Sequence, residues 1–254
     1  MYDDVKYLLY VLCAVGAGVA LLEVFRRRRC GGMSIAQRTL FATNFGFFTT
    51  LYTFFLGFAV VSLWQDYNHA DAAITNESDL LVVEYRLSLT MPGTDELRRS
   101  LLDYVTFVAG EGWKNMREGK PTDGADALYE RIWERLQTAD PRGGVSHSVY
   151  VVMLNQLINL NKLRHQRLLF INGNLYSPIW AIIYMGVAFT VAGFYFLDTD
   201  HRTSDLFFML MMLAMVLGNI FLLYELDTPY SGIIRIAPDK FAGAAAMMRS
   251  LGGL

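Results

Sequence analysis

Cysteine and histidine are scarce in this 254-residue chain, which has two cysteines, Cys13 and Cys30, and four histidines, His69, His147, His165 and His201. The cysteines are too few and too separated for a disulfide framework, and the histidines lack the close spacing that zinc sites favour, so no metal is expected. Cys30, just after a run of arginines, reads first as an inert thiol, with lipidation beside a membrane as the alternative. Also missing are a glycine-rich phosphate loop, a nucleophile elbow and the paired-histidine helix of zinc proteases, which leaves no catalytic residue to name and no cofactor to bind. The net charge is only −2, and basic residues are not interleaved with aromatics, so nucleic acid is set aside as a partner.

Charge is missing altogether from three long apolar runs, 40–64, 179–197 and 206–224, and from a fourth, about 7–25, until Glu23. A bilayer core of ~30 Å needs roughly 20 apolar residues at helical rise, so each run is long enough to span it. Backbone polar groups left in lipid must be satisfied within the segment, which makes the spans helices. The first run is not read as a signal peptide, because acidic Asp3 and Asp4 precede it and the basic stretch Arg26 to Arg29 follows it. The expectation is an all-α protein with four transmembrane helices, two in residues 1–64 and two in 177–226. It is a multi-pass protein of the cell inner (plasma) membrane, with the lipid bilayer as its first partner.

Between the pairs of spans lies a polar block, 65–176, patterned as an extramembrane helical domain inserted between helices 2 and 3; residues 227–254 form a C-terminal tail. Helical spacing continues past Trp64 through Tyr67, Asp71, Ile74, Ser78 and Leu81 with no proline until Pro92, so the second span is expected to run on into the block. Pro92 and Gly93 end it, and Thr94 is a plausible N-cap for a helix carrying Leu97, Leu101, Leu102, Val105 and Val108, which is expected to stop near Gly110 to Gly112. Residues 113–124 read as a connection with room for one helical turn, 125–138 as a helix, and a long helix runs from about Ser146 to Ile171 with a solvated stripe of Asn155, Asn159, Lys162 and Gln166. Orientation stays open. Arg26 to Arg29 and Arg38 would hold the first loop in the cytoplasm, while Lys162, Arg164, Arg167, Arg235, Lys240 and Arg249 weigh on the other side.

Five carboxylates, Asp66, Asp71, Glu77, Asp79 and Glu84, lie between Trp64 and Arg86 with no Lys or Arg among them, and read as a solvated acidic helix face. In a symmetric assembly, Asp66, two residues beyond an interfacial tryptophan, would form a ring at a pore mouth that concentrates cations. Phe47, Thr50, Phe54, Phe58 and Val61 share one helical face of the second span, and phenylalanines so spaced can form a constriction that gates by dewetting. Gly186 and Ala188 suit close helix contact, and Asn219, polar and deep in the fourth span, is a candidate to bond a neighbouring helix.

The stretch from Leu56 to Ala70, followed by Glu77 and by Glu84 to Leu87, resembles the start of the bestrophin-like family, bacterial membrane proteins of unassigned function. Further matches are Leu102 to Val105, Glu111 to Trp113, Arg164 to Leu169, Pro178 to Trp180, Glu225 to Gly232 and Pro238 to Phe241. That family is distantly similar to the bestrophins, homopentameric anion channels lined by their second membrane helix. The resemblance therefore implies a homo-oligomer, a pentamer, that passes inorganic ions, with anion selectivity and a cytoplasmic middle block. No acidic cluster follows Thr228 to Gly232, so the calcium ligands of the animal channels have no counterpart. The function expected is a homo-oligomeric ion channel with its pore on the second helix, anion-selective by resemblance and cation-selective if Asp66 governs. The alternative is a membrane-anchored helical interaction or sensor protein that does not conduct.

Overall fold

A computed structural model describes residues 34–120, 122–139, 144–171, 173, 175–196 and 202–253. Among these the regular structure is helical, with no strand: α1 (Ile35–Ser88), α2 (Asp95–Phe107), a π-helical turn (Val108–Gly112), α3 (Trp113–Arg117), α4 (Asp123–Thr138), α5 (Gly144–Leu169), α6 (Ser177–Phe196), α7 (Arg202–Asp227) and α8 (Asp239–Gly252). The apolar run at about 7–25, with Cys13 and Cys30, lies outside the described residues. Two described helices, α1 and the Phe207–Asp227 part of α7, are long and apolar enough to cross a membrane, and Ser177–Gly193 of α6 is a shorter apolar helix.

Helix α1 is 54 residues long and both its ends are chemically fixed. At the start, Ser34 and Gln37 form a reciprocal capping box: the Gln37 N–H donates to Ser34 Oγ at 3.3 Å, and the Ser34 N–H donates to Gln37 Oε1 at 3.1 Å. At the other end, Thr94 stands at the expected N-cap position of the next helix, but its side chain makes no capping bond to that helix's backbone. Its hydroxyl donates to the carbonyls of Ser88 and Met91, at 2.5 and 2.9 Å, and Arg98 Nη1 adds a 3.2 Å bond to Ser88 O. The carbonyls left over at the end of α1 are thus met by side chains from the next element. Gly93, at φ +76°, supplies the reversal.

The chain divides into two compact units, Met1–Gln65 with Asn174–Asp227 and Asp66–Gly173 with Thr228–Leu254. In the first, the inward side of α1 meets α6 through aromatic rings seated on glycines. Tyr52 donates its hydroxyl to Ile183 O at 2.8 Å, and its ring lies 2.0 Å from where a Cβ on Gly186 would stand. Phe45 lies 1.9 Å from the equivalent point on Gly193, and Phe48 meets Phe189 edge-on at 5.6 Å. Gly186 is therefore a close-approach residue, while Ala188 is exposed. Asp227, at the end of α7, accepts from the Leu175 N–H at 2.8 Å and from Trp180 Nε1 at 3.4 Å, joining both ends of this hairpin.

The second unit buries one apolar core drawn from α1 through α5, the segment after α7, and α8. Sequence spacing misplaces two of its parts. The helix expected to stop near Gly110 instead passes through a π-helical turn into α3, because Val108, Gly112, Trp113 and Met116 are all buried and a turn of wider pitch keeps them on the core side. The last residues, read as a tail, contain α8, which buries Phe241, Ala244, Ala245 and Met248.

Gly186→Ala should lower the thermal midpoint of the detergent-solubilised protein, since the added methyl must displace a hydrogen-bonded tyrosine ring, an overpacking cost of about 1–3 kcal/mol. Gly218→Ala, whose new methyl meets nothing within 4 Å, should not. Equal midpoints for the two variants would contradict the glycine-seated contact.

Candidate functional site

Among the described residues, the face of α1 opposite Tyr52 has no packing partner. Phe47, Phe54, Phe58 and Val61 are exposed, Phe54 by 66% and Phe58 by 61%, and Thr50 is exposed beside them. Phe54 and Phe58 meet edge-on at 4.6 Å and 88°, and the strip from Thr49 to Val61 forms a shallow groove. Such a ribbon of large apolar side chains on one helix is a surface suited to an apolar partner, such as lipid or another copy. Tyr52, Leu56, Ala59 and Leu63 are buried on the other side, so the five face residues stand together and the packing residues stand apart from them. Asp66 is half-buried, at the start of the second unit. Asn219 donates Nδ2 to Met215 O of its own helix at 2.9 Å.

The acidic face read as solvated is divided by the fold. Asp79 is exposed and Asp71 accepts Lys240 Nζ at 3.0 Å, but Glu77 and Glu84 are 0% and 1% exposed. The buried positions of α1 in the second unit step by four and three residues, Ala70, Ile74, Glu77, Leu81, Glu84 and Ser88, so both acids fall on the core side.

Glu77 is held by a guanidinium that lies as deep as it does. Arg167 Nε donates to Glu77 Oε2 at 2.7 Å and Nη2 to Oε1 at 3.2 Å, a two-bond pairing of planar groups. Tyr104 donates its hydroxyl to Glu77 Oε1 at 2.7 Å, Arg167 Nη1 reaches Met116 Sδ at 2.8 Å, and Tyr230 donates to the Arg167 carbonyl at 2.8 Å. Phe241 lies under the guanidinium at 5.5 Å, and Trp113 stands edge-on to Tyr230. Burial disfavours the Arg167 charge, yet Glu77 and Tyr104 beside it raise its pKa above the ordinary guanidinium range, so it stays charged. Burial holds the Tyr104 and Tyr230 hydroxyls protonated. Apart from Met116, these residues come from the separated stretches that carry the sequence resemblance, and α1, α2, α3, α5, the segment after α7, and α8 each bring at least one to this point.

Glu84 has no such partner, since its Oε1 is buried without a hydrogen bond. Burial pushes its pKa up to about 8. Close by, Arg164 pairs with Asp126 and lies 5.0 Å over the Tyr129 ring, while Tyr129 donates to Leu157 O at 2.9 Å. Among the described residues, no three His, Cys, Asp and Glu side chains form a group that could hold a metal.

Removing one member of a buried ion pair leaves an uncompensated charge, so Arg167→Met should destabilise the protein by roughly 3–5 kcal/mol. The loss should be partly recovered when Glu77→Leu is added, read as denaturation midpoints. Additive losses would contradict the pairing. For Glu84, the native state binds a proton more tightly than the unfolded chain, so stability should fall as pH rises from about 5 to about 8. Glu84→Gln, which is neutral throughout, should flatten that slope; an unchanged slope would assign it to other groups.

A family model for the bestrophin-like domain matches residues 12–241. Similar solved structures include a bacterial bestrophin homologue from Klebsiella pneumoniae, 13% identical, with a TM-score of 0.72 over 98% of this chain and 98% of that one. A mutant of a bestrophin homologue from the same organism is 10% identical, with a TM-score of 0.70 over 98% of this chain and all (100%) of that one. A crystal structure of a membrane protein is 12% identical, with a TM-score of 0.72 over 97% and 98% of the two chains. At such identities the likeness is one of fold. No curated protein matches this chain.

Proposed function

The chain belongs to the bestrophin-like family, and from that premise we propose that it is a homo-oligomeric ion channel of the cell inner membrane. Its pore is lined by the α1 face bearing Phe47, Thr50, Phe54, Phe58 and Val61. The observation that carries this reading is the division of α1, among the described residues, into a packed side with Tyr52 and Leu56 and an exposed aromatic side. A closed ring of copies covers that side without leaving an open edge, and five copies, as in the bestrophins, give a ring of phenylalanines. Water is poorly held between such rings, so conduction would be controlled by wetting.

The half-buried Asp66 would add one carboxylate per copy near the mouth, and the resemblance to bestrophins supports a cytoplasmic middle block. An acidic ring attracts cations, whereas the bestrophin likeness argues for anions. Asp66→Asn should therefore move the reversal potential in a salt gradient toward the anion side if the ring takes part, and leave it fixed if it does not.

In liposomes containing the purified protein, Phe54→Ala and Phe58→Ala should each raise or otherwise alter ion flux, because the narrowest apolar side chains are removed. Flux through the unsubstituted protein that neither change affects would remove this face from the pore. No flux of either ion sign, over a range of pH and voltage, would favour a non-conducting interaction module.

A further inference from the structure

Helix α1 is unbroken from Ile35 to Ser88, and its exposed side does not end at Val61. Beyond it, the exposed positions recur at Gln65, Asn68, Ala72, Asn76, Asp79, Val83 and Arg86, in steps of three and four, with His69 beside them. At about 3.6 residues per turn, or roughly 100° per residue, these positions all lie within about 40° of the direction of Phe54. Asp66 lies roughly 120° away from it and is half-buried. The positions that pack, Ala70, Ile74, Glu77, Leu81 and Glu84, run along the opposite side.

Past Val61 the chemistry of this line changes from apolar rings to uncharged amides and small side chains. Among the described residues, Asp79 is its one acid and Arg86 its one arginine. Neighbouring helices of the second unit show what an ordinary solvated face looks like there: α4 exposes Asp126, Glu130, Arg131, Glu134 and Arg135, and α2 exposes Asp95, Glu96, Arg99 and Asp103. The α1 line is far less charged than either. A contact with another protein surface would favour aromatic residues, methionine and arginine, of which the line holds only Arg86. Neutral hydrogen-bonding groups with one carboxylate suit a third role, the wall of a water-filled passage.

The Asp79 carboxylate is exposed and makes no ion pair among the described residues, whereas Asp71, off the line, is taken by Lys240. Arg86 lies two turns further on, about 10 Å along the helix, and its Nη2 reaches Met247 Sδ of α8 at 3.5 Å. That separation is roughly one Debye length at 0.1 M salt, so the arginine offsets the carboxylate only weakly. Resting on the channel reading above, we propose that this line continues the ion path through the second unit as a polar vestibule. Asp79, one carboxylate per copy, faces that path and draws inorganic cations into it. Rings of aspartate at a constricted passage favour cations and repel anions of the same size.

The test is the reversal potential of the purified full chain in a planar bilayer under a potassium chloride gradient. The unsubstituted protein should reverse on the potassium side. Asp79→Asn should shift the reversal potential toward that of chloride, Asp79→Lys should shift it further, and Asp79→Glu, which keeps the charge, should retain the starting value. Asp103→Asn, which removes an exposed acid on α2, should leave it unchanged. A chloride-side reversal in the unsubstituted protein, or Asp79→Asn and Asp79→Lys variants that conduct with its potential unaltered, would overturn the proposal and leave the phenylalanine face as a pore. An equal shift from Asp103→Asn would assign the effect to general surface charge and overturn it too. No conduction by the unsubstituted protein would remove the channel reading itself, and this proposal with it.

Discussion

One guanidinium organises the second unit. Arg167 is fully buried with its charge, and such a group is tolerated only where every donor finds an acceptor and the countercharge is equally fixed. Glu77 on α1, Tyr104 on α2, Met116 on α3 and Phe241 on α8 meet these needs at once, and Tyr230 secures the Arg167 backbone. An apolar cluster of the same volume could hold these helices as strongly. It would not penalise a helix rotated by one position, whereas a carboxylate turned away from its paired guanidinium would. The pair is thus better understood as fixing which residues of α1 face inward than as a large source of stability.

The first unit relies on a different kind of constraint. Its helices offer little polarity, so closeness rather than charge specifies their contact: rings of Phe45 and Tyr52 rest where Gly193 and Gly186 have no side chain. Van der Waals fit of this type drives helix association where lipid is as apolar as the helices themselves. With one side of α1 fixed in this way, the other side, with Phe47, Phe54 and Phe58, is uncovered among the described residues. That asymmetry is the physical content of the channel assignment.

The all-helical class and the unbroken passage of the second span beyond Trp64 were legible from spacing alone, because a run without proline or glycine and with three- and four-residue recurrence has one regular solution. The face was not legible. Period tells how often a helix turns inward but not which phase does so, and acids at Glu77 and Glu84 argued for solvent until Arg167, ninety residues away in sequence, was seen to cover one of them. The same limit hid α8, where Phe241, Ala244, Ala245 and Met248 carry a helical stripe that looked idle beside longer apolar runs. The π-helical turn at Val108–Gly112 was missed because paired glycines signal a stop locally, while burial of Trp113 and Met116 keeps the helix going.

The claim on which the account most depends is that the uncovered side of α1 faces water along a shared axis rather than lipid. Modification of Phe54→Cys, in a background with Cys13 and Cys30 replaced by serine, measures this directly by adding a charged, membrane-impermeant thiosulfonate while current is recorded across a planar bilayer. The account predicts rapid modification and a stepwise change in current, with Ala59→Cys on the packed side unreactive. A Phe54→Cys thiol that reacts only with a lipid-soluble reagent, with current unaltered, would contradict it.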